Sequence, residues 1–377
     1  MKVIIDCLLL TDKDSGVHRC IRGLIRGLDQ LSTDDEFEFI TGYGYDDQGW
    51  TPERLKQHRA KIPCRIRSAR IFYDQFCLPM VAGLKGADLI HGPGYIIPGF
   101  ANKPAVVTVY DIIALKHPHL CKRSNVMHFK WNLPRSIQKA AAIIVLSNAV
   151  KQDLVKLMKV PPAKIEVIPP GIDECFVVPD EETKRQVRER YELPEKFVLF
   201  VGNIEPKKNL ETLIKTFFAV KMDKKLKHKL VIVGQKGWKY EEVFTLIDSL
   251  GIEEHIVFTD YVPLADLPAV YALAECFAFP SLVEGFGIPP LEAMACGTPV
   301  LTSEDPAVLE ATGDAALHAP ASDIKAMSES LQKLLLNSAE KLRLREAGLS
   351  HAAKFTWKKS AEQTAEVYRN VVEADKR

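Results

Sequence analysis

Apolar residues fall along the chain in short unbroken runs, separated by longer stretches where they recur every three or four positions. Residues 2–10 are nearly all apolar, the pattern of a parallel strand buried on both faces. A polar turn containing Gly16 follows. Residues 17–31 then place Ile21, Leu24, Ile25 and Leu28 on one helical stripe. Residues 38–41, 87–91, 105–110, 142–146 and 165–168 predict further strands, with helical patterns at 127–140 and 149–158. Strands alternating with helices imply crossover units and a parallel sheet.

Pro169, Pro170 and Gly171, followed by the charged residues 180–190, mark a break near the midpoint. Beyond it the alternation restarts. Strands are expected at 197–201, 230–233, 256–258, 276–279 and 300–302. Helices are expected at 210–220, 240–250, 265–273 and 322–333, with a last amphipathic helix at 358–374. The chain therefore reads as two similar α/β halves in tandem. Ligands of such sheets bind beyond the C-terminal strand ends, and here also between the halves.

Composition narrows the class. At about 150 residues per domain, 377 residues suit two or three domains. A hydrophobic share of 47% and a charged share of 26% exclude wholesale disorder. Lys and Arg number 50 against 49 Asp and Glu, a net charge of +1, which excludes a whole-surface nucleic-acid binder. No apolar stretch reaches 18 residues and no cleavable leader pattern opens the chain, so the expectation is a cytoplasmic protein, at most peripheral at the inner face of a membrane. The eight cysteines are scattered without metal-ligand spacing and read as reduced thiols. A basic run, Arg54, Lys56, Arg59, Lys61, Arg65, Arg67 and Arg70, reads as a solvated face or as a contact for anionic lipid or a lipid-linked diphosphate.

Residues 281–300, SLVEGFGIPPLEAMACGTPV, carry the most chemistry. A strand runs into a loop bearing Glu284, Gly285, Phe286 and Gly287. Ile288, Pro289 and Pro290 then open a helix, where a missing proline N–H costs nothing. Such a loop presents amides and a positive dipole end to an anion. Glu284 on the loop and Glu292 in the helix would address different parts of one ligand. Spacing alone leaves an ordinary strand–loop–helix equally open. In VGNIEPKKNL, residues 201–210, Lys207 and Lys208 stand at a strand's C-terminal end, where a diphosphate needs countercharge, and Asn209 could cap the following helix. In the first half, Gly16 lies between strand and helix, His91 ends one strand, and Tyr110 and Asp111 end another. Gly234 and Lys236 follow one strand of the second half, and Val262 another.

Residues 281–300 resemble the E-x7-E motif of retaining GT-B glycosyltransferases of family 4, in which runs such as EGFGxPxLEAMAxGxPV recur. The resemblance extends over nearly the whole chain. It implies an α/β GT-B fold: two Rossmann-like domains facing across a central cleft. The acceptor-side domain would comprise residues 1–172 plus a crossing helix at 357–377, because Phe355-Thr356-Trp357 resembles the family's crossing point. Residues 173–356 would bind the nucleotide-sugar.

By the same resemblance, Glu284 contacts the donor sugar, the amides of Phe286, Gly287 and Ile288 hold sugar and diphosphate, and Glu292 binds the donor ribose. EPKKN is similar to the family's EPxKN, which makes Lys208 the diphosphate lysine, with Lys207 beside it. Asn203 stands where some branches carry arginine. Gly16 matches the first glycine loop. The base would lie between the loops of Gly234–Lys236 and Val262, read by backbone at Val262. Tyr110 replaces a histidine usual before Asp111. A tyrosine donates a hydrogen bond but is a poor base near neutral pH, which leaves Asp111 and His91 as the polar candidates.

The implied reaction moves a hexosyl group from a nucleotide-diphosphate sugar to a hydroxyl of a glycan or lipid-linked glycan, with retention. No D-x-D-like motif stands where a metal would be needed, so neither metal nor cofactor is expected. The EPKKN form and the GQKGW loop resemble branches using GDP-mannose, with UDP-sugars left open. A phosphorylase or epimerase on the same scaffold, or a catalytically degenerate binding subunit, also stays open, since fold does not fix chemistry.

Overall fold

Runs that are apolar on both sides of the backbone become the inner strands of two parallel sheets. The computed structural model describes residues 1–11, 15–43, 45, 52–63 and 66–377. They divide into two units, Met1–Gly171 with Phe355–Arg377, and Ile172–Lys354. Asp14 in the first glycine loop, Arg65 in the basic run, and Cys64 lie outside the described residues.

In the first unit β1 (Lys2–Asp6) is followed by α1 (Gly16–Asp29), β2 (Glu36–Tyr43) and β3 (Lys56–Pro63). Next come α2 (Arg67–Phe72), a single π-turn (Tyr73–Cys77) and α3 (Leu78–Leu84), then β4 (Leu89–Gly92) and β5 (Ala105–Val109). The elements α4 (Ile113–Lys116), α5 (Arg123–Lys139), β6 (Ala142–Val145), α6 (Asn148–Met158) and β7 (Ile165–Val167) complete it. All strands are parallel, in the order β3-β2-β1-β4-β5-β6-β7. Strand order reverses between β1 and β4, which makes their C-terminal ends the switch point of this sheet.

The second unit opens with α7 (Glu181–Arg190), then β8 (Phe197–Val201), α8 (Leu210–Lys224), β9 (Lys229–Val233) and α9 (Glu241–Leu250). It continues through β10 (Ile256–Asp260), α10 (Leu267–Leu273), β11 (Cys276–Phe279), α11 (Ile288–Ala295) and β12 (Val300–Ser303). The elements α12 (Pro306–Thr312), β13 (Leu317–Ala319), α13 (Ile324–Leu336) and α14 (Ser338–Ala352) close it. Its parallel order is β10-β9-β8-β11-β12-β13, so the switch point falls between β8 and β11.

The last helix, α15 (Trp357–Asp375), belongs to the first unit and packs on α1. Glycines make room for it. A Cβ at Gly23 would lie 1.9 Å from the Trp357 ring, one at Gly27 2.3 Å from the Trp357 carbonyl oxygen, and one at Gly171 2.2 Å from the Trp357 nitrogen.

Several elements do not follow the apolar pattern. In β3 only Ala60 is buried, so this edge strand looks in sequence like part of the basic run. The charged residues expected to mark the inter-domain break form α7, with only Val187 buried. Asp180 caps it by accepting from Thr183 N (2.7 Å), and Arg185 pairs along it with Glu182 and Glu189.

Candidate functional site

The loops leaving β8 and β11 flank the switch point of the second unit, and the structure joins them there. Lys208 Nζ donates to Glu284 Oε1 at 2.6 Å, and each side chain is 13% exposed. The same ammonium lies 4.7 Å from the centre of the Phe279 ring. Burial pushes the Glu284 pKa up, but the charges of Lys208 and then Lys207 outweigh it and hold the carboxyl below its usual range. Glu284 is therefore an anion locked beside a cation. An ammonium has three donors, so this bond uses one of them.

Asn209, a backbone bond and a side chain of β12 hold the two loops. Asn209 sits at φ +55 and donates through Nδ2 to Pro280 O (3.1 Å) and Ala321 O (2.8 Å). It stands at the N-cap of α8, but its side chain bonds no helix amide and instead accepts from the Thr212 hydroxyl (2.7 Å). The capping role expected for it is thus replaced by a tie between loops. Leu282 N donates to Lys207 O (2.8 Å), and the buried Ser303 hydroxyl donates to Ser281 O (2.6 Å). Asp305 caps α12 by accepting from Ala307 N (3.1 Å) and Val308 N (3.2 Å). Its pKa is pushed up to about 6, chiefly by burial and also by the nearby Glu284 charge, against the pull of those amides.

The remaining candidates of this unit sit around the same sheet edge. Gly287 precedes α11 at φ +136, Phe286 and Gly287 are buried, and Gly285 and Ile288 are half-buried. Pro289 and Pro290 remove two amides from the first turn of α11, so donors must come from the loop and from Ile288. Glu292 is fully buried in α11, its Oε2 accepting from Tyr271 OH at 3.1 Å. Asn203 is exposed and Lys207 half-buried. Gly234 passes so close to the β8 loop that a Cβ there would meet Gly202 O at 2.1 Å. The Lys236 backbone bridges Ile204, and its ammonium lies over Tyr240 (5.5 Å) and Phe244 (4.9 Å). Val262, in the loop after β10, is buried.

The candidates of the first unit are more withdrawn. His91 lies within β4 and is fully buried, with Nε2 bonded to Thr108 Oγ1 (2.8 Å) and Nδ1 to Tyr368 OH (2.6 Å). Burial pushes its pKa down to about 3, so the ring is neutral. Both ring nitrogens of this catalytic candidate are bonded inside the unit, one of them to Tyr368 of α15. Tyr110 is buried edge-on to Tyr95, with centroids 5.5 Å apart, and burial raises its pKa well above the ordinary value, so it stays a neutral phenol. Asp111 Oδ1 accepts from Ile113 N (3.0 Å) and Oδ2 from Tyr95 OH (3.4 Å). Gly16 opens α1, capped by Ser15, which accepts from His18 N (3.3 Å).

Comparison with known proteins places this arrangement. The family model for glycosyl transferases group 1 matches residues 180–351, and that for glycosyltransferase family 4 matches residues 15–176. A D-inositol 3-phosphate glycosyltransferase of Corynebacterium glutamicum (strain R) is 30% identical over 303 residues, 76% of this chain and 72% of that protein. The chain belongs to glycosyltransferase family 4.

This family 4 glycosyltransferase is also 29% identical over 282 residues to O-antigen chain mannosyltransferase B of Escherichia coli, 74% of each chain. It spans only 30–36% of the length of three E. coli serotype-specific mannosyltransferases WbdA, each 29% identical. Among solved structures it resembles sucrose-phosphate synthase from Thermosynechococcus elongatus, with a TM-score of 0.79 and 20% identity over 99% of this chain and 100% of that one. Anabaena HepE in complex with UDP and glucose gives a TM-score of 0.77 and 17% identity, covering 98% and 100%. Identities this low carry the fold: two parallel-sheet Rossmann-like domains of the GT-B type.

Proposed function

We propose that the enzyme transfers a mannosyl group from GDP-mannose to a hydroxyl of a glycan or lipid-linked glycan, with retention and without a metal. The observation that carries this reading is the Lys208–Glu284 pair at the switch point of the second unit, in loops held by Asn209, Ser303 and the Leu282–Lys207 bond. The relatives named as mannosyltransferases support the sugar.

In this mechanism the bond between the anomeric carbon and the diphosphate oxygen breaks while the acceptor oxygen attacks from the same face. The leaving phosphate takes the acceptor's proton. Charge builds on the diphosphate as the sugar becomes oxocarbenium-like. Lys208, supported by Lys207 and the loop amides of Phe286, Gly287 and Ile288, meets that charge, which makes a divalent cation unnecessary. Glu284 accepts from sugar hydroxyls and fixes the donor's orientation without acting as a covalent nucleophile. Glu292, braced by Tyr271, takes the ribose, and the Val262 backbone with the Gly234–Lys236 turn takes the base. Gly16 and Asp111 belong to the acceptor-side unit. The proposal places the enzyme in the cytoplasm, with a lipid-linked acceptor drawing it to the membrane's inner face. A second reading, a UDP-sugar donor, is favoured by the UDP and glucose held by HepE.

A thermal-unfolding panel of GDP, GDP-mannose, UDP and UDP-sugars in chelator separates these readings. A ligand in large excess over its Kd adds about 2–4 kcal/mol of stability. Stabilisation by GDP species alone is expected. Stabilisation by UDP species alone replaces the donor, and stabilisation only after adding a divalent cation overturns the metal-free mechanism.

A further inference from the structure

The segment from α2 to α3 buries Leu78 but turns four other large apolar side chains outward. Phe72, Phe76, Met80 and Leu84 are 60%, 53%, 67% and 87% exposed, and Phe100, from the loop after β4, is 75% exposed. A four-residue spacing drifts around a straight α-helix by about 40° per step. The wider π-turn at Tyr73–Cys77 turns the first step back, which keeps the side chains nearer one stripe. The rings pack on one another, with centroids 5.1 Å apart for Phe72 and Phe76 and 6.3 Å for Phe76 and Phe100. Gln75 braces the arrangement, its Nε2 donating to Ile97 O (3.1 Å) and its Oε1 accepting from Gly99 N (2.9 Å). Large apolar side chains exposed together in this way mark an interaction surface.

Charge selects the partner. Over residues 66–85 the basic side chains are Arg67, Arg70 and Lys85, and the one acidic residue is Asp74. Asp74 points inward at 5% exposure; burial and then the neighbouring Asp6 raise its pKa, so it adds no negative charge to the face. Arg67 donates to Asn125 Oδ1 (3.2 Å) and so joins α2 to α5. Within α5 stand Arg123, Lys130, Arg135 and Lys139 with no Asp or Glu, and its Met127 and Trp131 are more than half exposed. The whole chain balances at +1, so this basicity is local.

We propose that this face docks on an anionic lipid bilayer, with Phe72, Phe76, Met80 and Leu84 entering the headgroup boundary and Arg67, Arg123 and Lys130 meeting lipid phosphate. Side chains that protrude this far suit a fluid partner that moulds around them, whereas a protein partner would need a socket for each. No helix among the described residues is long and apolar enough to cross a membrane, so the contact lies on the surface. The inference stands on the first unit and deepens the reading of its acceptor as lipid-linked.

The test is co-sedimentation of the full chain with phosphatidylcholine vesicles, with and without about one-third phosphatidylglycerol, at low and high salt. Binding to the anionic vesicles only is expected. The double variant Phe76→Ser/Leu84→Ser should weaken it about tenfold or more, because each side chain it removes is over half exposed on the patch. High salt should weaken it too. Leu342→Ser, at a leucine of the second unit that is also more than half exposed, should leave binding unchanged. Equal binding to both vesicle types, no binding to either, or no effect of the double variant overturns the proposal. So does a dimer in lipid-free solution that the double variant dissociates, since the face would then cover a second copy. Nucleotide binding measured on the same samples keeps a failure here distinct from a failure of the donor reading.

Discussion

Lys208 and Glu284 are 76 positions apart in the chain and 2.6 Å apart in space. Each was readable because its motif is local: basic residues just after one strand, an acidic glycine loop just after another. Their partners were not readable. Asn209 resembles a helix cap, and only the folded loop shows its amide bridging to Pro280 and Ala321. Asp305 before Pro306 signals only a helix start and Ser303 only a strand end, so neither reveals its place beside loops that arrive from elsewhere. His91 is a different case, a catalytic candidate in sequence whose two ring nitrogens are both bonded within the folded unit. Its neutral, buried ring sets a pH dependence. Its folded pKa of about 3 lies below an unfolded value of about 6.5, so the unfolded chain binds more protons between them. This contribution is complete above pH about 6.5 and is lost as pH falls toward 3, at no more than about 1.4 kcal/mol per pH unit. Denaturant unfolding at stepped pH should show this slope, and His91→Gln should flatten it. An unchanged slope in the variant would place the acid sensitivity elsewhere.

Among elements, the inner strands were legible because a strand buried on both faces has little choice of composition. The edge strand β3 and the helix α7 were not, because each buries one residue and is held by pairing to β2 or by charge pairs. The expected final helix is present as α15, and its seat on α1 makes a prediction about two glycines. At Gly23 an added methyl meets the Trp357 ring, but at Gly27 it meets the Trp357 carbonyl. Each Gly→Ala change should cost about 1–3 kcal/mol through overpacking. In a Trp357→Ala background the Gly23→Ala penalty should vanish while the Gly27→Ala penalty persists, because only the first clash is with the side chain. Equal penalties in both backgrounds, read by thermal unfolding, would contradict this packing.

At the scale of the whole molecule, the repeated strand–helix alternation announced two doubly wound sheets, and the family match agrees with it. Net charge was uninformative there, since a balance of +1 conceals the basic region around α2 and α5. The proposed chemistry rests on one switch point, between β8 and β11, where a cation and an anion are held in clamped loops. The most direct test is the initial rate of mannose transfer from GDP-mannose in chelator, for the natural enzyme and for Glu284→Gln, with GDP affinity measured alongside. Loss of the carboxylate should lower turnover about 100-fold or more while GDP affinity changes only a few-fold, because Lys208 stays in place. Unchanged turnover in Glu284→Gln would contradict the account, because the reacting sugar would then lie away from the Lys208–Glu284 pair.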